Sequence, residues 1–139
     1  MNGDGFDDII GFGQAGTLVA LANGDGTFKA PVLGVANFGV AQGWTTQDRF
    51  TRVAEDVNND GFADIVGFGA AGTFIAYGNS SGGFTEASFD VANFSPAQGW
   101  SSDNLFHRTL ADINNDGLFD IVGFGFAGVI AGYNESFFG

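Results

Sequence analysis

A period of 56 residues governs this chain: Asp4-Gly5, Asp60-Gly61 and Asp116-Gly117 recur at that spacing. The stretch DVNNDGFADIVGFGAAG from Asp56 matches DINNDGLFDIVGFGFAG from Asp112 at thirteen of seventeen positions, and VANFGVAQGW from Val35 matches VANFSPAQGW from Val91 at eight of ten. The 139 residues therefore comprise two full periods and 27 residues more. Such self-similarity restricts the architecture before any element is assigned, because each copy must be one supersecondary unit stacked on its neighbours.

Within a unit, residues 50–54 lead into an aspartate-rich loop. Residues 64–68 (DIVGF) and 73–77 (TFIAY) are apolar runs bounded by glycine, and residues 84–92 alternate apolar and polar side chains. Four short runs with turn chemistry between them read as strands, A to D in each unit. No 3.6-residue periodicity with caps accompanies them. The expected fold class is all-β, with β-propeller blades of four antiparallel strands. The chain then supplies BCD, ABCD and ABC, ten strands or about 2.5 blades. Residues 1–139 form a single propeller fragment, divided into a partial unit 1–55, a complete unit 56–111 and a partial unit 112–139. An open arc leaves two terminal faces wet. It is therefore expected to close by homo-oligomerisation or to form part of something larger.

Four basic residues against sixteen acidic ones give a net charge of −12, which argues against a nucleic-acid partner and an anionic membrane surface. No apolar run is long enough to span a bilayer, so no membrane insertion is expected. Cysteine is absent, which excludes disulfides and thiolate chemistry. The acid is unevenly spread. Thirteen of the sixteen acidic residues are Asp, and nine of these fall into three clusters, with Glu55, Glu86 and Glu135 the only glutamates. Clustered carboxylates with almost no lysine nearby repel one another unless a cation neutralises them.

The clusters form the pattern D-x-N-x-D-G-x-x-D, as Asp56, Asn58, Asp60, Asp64 and as Asp112, Asn114, Asp116, Asp120. Alternate side-chain oxygens on a tight loop, with the backbone carbonyl of Phe62 or Leu118, suit structural Ca²⁺ better than a transition metal. The first copy keeps Asn2, Asp4, Phe6 and Asp8 but lacks the leading aspartate, so weak binding is expected there. An EF-hand is excluded, since its twelfth position would be Gly67 or Gly123 and a strand follows. The competing possibility is three Asx-rich turns that hold no metal. Weak calcium affinity would favour an extracellular setting.

GFGQAG, GFGAAG and GFGFAG, from Gly11, Gly67 and Gly123, each fit G-x-G-x-x-G. A dinucleotide site needs a helix after the glycines, whereas a six-residue apolar run and a further turn follow each copy, so hairpins are expected. The only tryptophans occupy equivalent places, in Gln42-Gly43-Trp44 and Gln98-Gly99-Trp100. If the A–B and C–D turns share one face, these segments share the other with the B–C turn, including Ala71 and Gly72. Indole beside exposed backbone amides makes a sugar pocket, whereas a tryptophan wedged between neighbouring blades would be core. Both readings stay open. Arg52 and Arg108 are expected to pair with aspartates rather than to touch a ligand.

The D-x-N-x-D-G-x-x-D loop followed by a strand, GFG and AG resembles the FG-GAP repeats of integrin α-subunit propellers. With the Gly-Trp segment and Leu110-Ala111-Asp112, the chain is similar to the Psathyrella velutina lectin family across essentially its whole length. That resemblance implies a seven-bladed propeller with structural calcium, binding N-acetylglucosamine between adjacent blades. The segments after the tryptophans, TTQDRF and SSDNLF, depart from the basic residue and histidine often found there. The expected function is a calcium-dependent lectin for N-acetylglucosamine-type sugars. The alternative is an integrin-like module for protein–protein interaction without sugar binding. An enzyme is not expected, because His107 is the sole histidine and its counterpart is Thr51. N-x-S sequons stand at Asn79, Asn93 and Asn134.

Overall fold

The computed structural model describes residues 1–134; the sequon at Asn134 extends to Ser136 and lies partly outside them. Ten strands form three antiparallel sheets. The first holds β1 (Ile9–Phe12), β2 (Thr17–Ala20) and β3 (Val32–Val35). The second holds β4 (Arg52–Glu55), β5 (Asp64–Phe68), β6 (Thr73–Ala76) and β7 (Ser88–Val91). The third holds β8 (Arg108–Ala111), β9 (Asp120–Gly125) and β10 (Gly128–Gly132). Strands follow one another in space as in sequence, so every connection within a sheet is a simple hairpin. This is the all-β arrangement of BCD, ABCD and ABC propeller blades, and among the described residues no barrel closes. Among the described residues no helix is long and apolar enough to cross a membrane.

The DIVGF run is buried at every position of β5, as a short apolar strand covered on both faces must be. GFGAAG forms the tight β5–β6 hairpin, closed by Gly69 N–H donating to the Gly72 carbonyl at 2.8 Å. No helix follows it, so the dinucleotide fingerprint is excluded.

One local expectation needs correction. Residues 84–92 were expected as one strand, but β7 covers only Ser88–Val91. Phe84 leaves that ladder because its N–H donates to the Gly34 carbonyl of the first sheet at 3.2 Å. It keeps a single bridge to Gly78. The connections between sheets also contain single 3-10 turns, Val40–Gln42 and Pro96–Gln98. Pro96 suits the start of such a turn, and Gly43 and Gly99 end the two turns at φ 95° and 97°.

The core lies between sheets. Phe38, Trp44 and Phe50 pack with Ile65 and Ala76 at the first junction, and Phe94 and Trp100 pack with Phe68, Ile75 and Ile121 at the second. The outer faces are less covered: Phe124 of β9 is 47% exposed, whereas its counterpart Phe68 is fully buried.

Candidate functional site

The three acidic loops fold alike. Asp60 N–H donates to Asp56 Oδ1 and to Asn58 Oδ1, both at 3.1 Å, Gly61 N–H to Asp56 Oδ2 at 2.8 Å, and Phe62 N–H to Asp60 Oδ1 at 2.9 Å. Asp112, Asn114, Asp116 and Leu118 repeat the pattern. In the first loop Asp4 N–H donates to Asn2 Oδ1 and Phe6 N–H to Asp4 Oδ1. Asn59 and Asn115 hold φ of 60° and 62°, a left-handed conformation that asparagine tolerates better than most residues.

The last aspartate of each loop has a separate task. Asp64 is fully buried, and its carboxylate accepts Val57 N–H at 3.0 Å and Gly78 N–H at 2.8 Å. It thus joins the A–B loop to the end of strand C. Asp120 does the same with Ile113 and Asn134, and Asp8 accepts Ala22 N–H and pairs with the Met1 ammonium at 2.8 Å. Desolvation, and then the negative charge of Asp60 and Asp56, pushes the Asp64 carboxyl up to about 6. The ninth position therefore has a use that needs no cation. Among the described residues no three acidic or histidine side chains converge closely enough to hold a metal. The donors are nonetheless all hard oxygens, and each carboxylate oxygen keeps a second lone pair.

The opposite turns build a different site. After β3, Asn37 Oδ1 accepts both Phe38 N–H at 2.7 Å and Trp44 Nε1–H at 3.2 Å. Gln42 braces the 3-10 turn: its Oε1 accepts Gly39 N–H and its Nε2 donates to the Ala15 carbonyl of the first sheet. The chain then delivers Trp44 onto the second sheet, where the ring meets Phe38, Phe50 and Phe74 at centroid distances of 5.0, 6.2 and 6.2 Å. Trp44 is 7% exposed and Trp100 5%. Most of each indole is core, and one edge lines a cleft.

These indoles explain the glycines of GFG. A Cβ on Gly67 would lie 2.7 Å from Trp44 Cη2, and one on Gly69 would lie 3.1 Å from the same atom. Gly123 and Gly125 meet Trp100 in the same way.

Arg52 and Arg108 do not pair with the loop aspartates. Arg52 Nη1 donates to the Phe38 carbonyl at 2.6 Å, Nε to Gln47 Oε1 at 3.0 Å, and the guanidinium lies 4.8 Å from the centroid of Phe12. Arg108, fully buried, donates to the Phe94 carbonyl at 2.9 Å and reaches back to the Asp48 carbonyl and Thr51 Oγ1, over the ring of Phe68. Arg108 does pair with an aspartate outside the loops, Asp103, whose Oδ1 lies 3.8 Å from Nε, and Asp48 adds a further negative charge nearby. The carbonyls matter because Phe38 and Phe94 hold φ of 61° and 60°, a strained conformation for a bulky residue. Each arginine fixes that bend while stacking on the preceding sheet. Burial lowers both guanidinium pKa values, and the accepting oxygens replace the lost water.

A cleft of about 390 Å³ opens beside Trp44. Asn37, Gln42 and Gly43 of the connecting segment form one wall, Gly69, Ala70 and Ala71 of the β5–β6 turn form the other, and Phe50 and Phe74 complete the floor. A second cleft of about 240 Å³ recurs beside Trp100, with Gln98, Gly99, Phe106 and Ala127. Gln42, Gly43, Trp44, Ala71, Gln98, Gly99 and Trp100 thus come together as two repeated clefts. Gly72 lines neither, because it lies against Val91 O and Phe89. Asn37, Phe50, Phe74, Ala70, Phe106, Phe126 and Ile130 were not singled out in the sequence. The recurrence of Asn37 and Phe50 one period later was the available signal.

Residues 56–123 match the FG-GAP-like repeat family. No curated protein matches the chain. Among solved structures, an Agrocybe aegerita lectin described for specific recognition of non-reducing terminal N-acetylglucosamine superposes with a TM-score of 0.90 at 38% identity, over 97% of this chain and 33% of the lectin. The chain thus spans about a third of that lectin's length. Over residues 56–123 the chain is similar to FG-GAP-like repeats, and its propeller-blade fold is similar to that of the Agrocybe lectin.

Proposed function

We propose that this chain is a carbohydrate-binding protein that takes N-acetylglucosamine-type sugars in the clefts between successive sheets. The carrying observation is the cleft that recurs one period later, each copy with an indole edge, a phenyl ring (Phe50 or Phe106) and a glutamine of the connecting segment (Gln42 or Gln98). Pyranose C–H groups pack on aromatic faces while hydroxyl and acetamido groups bond to amides. The likeness to the Agrocybe lectin, at 38% identity, supports the choice of sugar. No catalytic step is assigned to the site. Isothermal titration with free N-acetylglucosamine, followed in parallel by tryptophan fluorescence, tests the reading. Saturable heat with an emission change is expected. No response to any amino sugar would overturn the reading in favour of a protein-binding module of integrin type.

The acidic loops belong to the same reading as structural Ca²⁺ sites. Asp56, Asn58, Asp60 and Asp64 with the Phe62 carbonyl would hold one ion, Asp112, Asn114, Asp116 and Asp120 with the Leu118 carbonyl a second, and Asn2, Asp4, Phe6 and Asp8 a weaker third. A bound ion supplies positive charge where Asp56, Asp60 and Asp64 repel one another. Copies of this chain are proposed to cover the exposed end faces by closing a ring. Light scattering that returned a folded monomer would refute that closure.

A further inference from the structure

The two clefts occupy one repeat position, yet they differ in shape. Trp44, Gln42, Gly43 and Phe50 correspond one for one to Trp100, Gln98, Gly99 and Phe106. Two lining residues change identity, and Asn93, the counterpart of Asn37, does not line the second cleft. At the tip of the hairpin, Ala70 becomes Phe126, and on the strand after it Phe74 becomes Ile130. An aromatic ring thereby moves from the floor of the cleft to its rim, and the volume falls from about 390 to about 240 Å³.

Phe126 lines the second cleft from the hairpin tip. Among the described residues it is 96% exposed, in the hairpin where Gly125 pairs with Gly128. Phe74, by contrast, is fixed edge-on to both Trp44 and Phe89, at 6.2 and 5.4 Å.

We propose that Phe126 is a specificity-determining residue: it narrows the mouth of the second cleft, so the first takes an N-acetylhexosamine residue and the second binds the same sugar roughly tenfold or more weakly. This rests on the carbohydrate reading above. Ala70 and Phe126 are both exposed side chains at hairpin tips, so exchanging them leaves the core untouched.

Titration of free N-acetylglucosamine into the ¹⁵N-labelled chain reads each cleft separately, through the amides of Ala70 and Ala71 and those of Phe126 and Ala127. The first pair is expected to saturate at concentrations where the second barely moves. Phe126→Ala should bring the second cleft to within a few-fold of the first, and Ala70→Phe should weaken the first by roughly tenfold. Equal affinities at the two clefts of the unaltered chain would overturn the inference while leaving the carbohydrate reading intact, as would a Phe126→Ala variant that still binds at one cleft only. Absence of shifts at both clefts in all three proteins would overturn the carbohydrate reading itself, and this inference with it.

Discussion

Gly11, Gly67 and Gly123 occupy the same strand position in the three sheets, and only the latter two lie beneath an indole. A methyl group on Gly67 would stand 2.7 Å from both Trp44 Cη2 and Phe38 Cε1, while one on Gly11 meets nothing within 4 Å. Trp44 cannot move aside freely, because Phe38, Phe50 and Phe74 enclose it. Overpacking of this kind costs about 1–3 kcal/mol. It is offset by about 0.4–1 kcal/mol from the reduced freedom of the unfolded chain. Because the clash involves two rings at once, Gly67→Ala should lose about 2 kcal/mol net. At a few degrees per kcal/mol for a chain of this size, its melting temperature should fall by roughly 5–10 °C. Gly11→Ala carries the same backbone gain without the clash, and should be neutral or raise the midpoint by roughly 2 °C. Circular dichroism melts of the two variants provide the measurement, with near-ultraviolet ellipticity reporting displacement of the indole in Gly67→Ala. Equal midpoints for the two variants would refute the assignment of these glycines to the indole.

Arg108→Lys should destabilise the chain by about 2–3 kcal/mol in urea, because an ammonium cannot reach the Phe94 carbonyl, the Asp48 carbonyl and Thr51 Oγ1 together. A loss below about 0.5 kcal/mol would show that the fork is dispensable. Asp64→Asn keeps shape but leaves an amide N–H facing a backbone N–H, and should cost about 1–3 kcal/mol even in EDTA. An unchanged urea midpoint would refute its role as a buried acceptor. Millimolar Ca²⁺ should raise the melting temperature of the EDTA-treated chain by several degrees, and Asp60→Ala with Asp116→Ala should abolish the rise. A midpoint indifferent to Ca²⁺ would remove the cation from the loops.

The period, the ten strands and their grouping into three sheets were legible because they depend on local pattern. Apolar runs bounded by glycine have few ways to bury themselves, and repetition removes most of the ambiguity. What escaped depends on partners distant in sequence. Trp44 serves Gly67, 23 residues later and in another sheet, so neither motif alone discloses the contact. Phe84 abandons its own strand for a carbonyl of the first sheet, which alternation within one unit cannot reveal. Arg52 sits near aspartates in sequence yet faces carbonyls in space. Arg108 pairs with Asp103 rather than with its loop while donating chiefly to carbonyls, since charge counting ignores which way a strand points its side chains. Asp64 shows another limit. A carboxylate at that spacing reads as a ligand, and the same residue type also serves as a buried acceptor for two amides.

The placement of indole and glycine has an evolutionary consequence. Units 1–55 and 56–111 carry the ring towards their ends, and the recess that receives it lies near the start of the unit that follows. Tandem duplication of the gene segment for one unit would therefore create a matched junction at once, with no compensating mutation on either side. Lengthening such a protein requires only copying, and the number of copies is left to be fixed by the curvature at which the first and last meet.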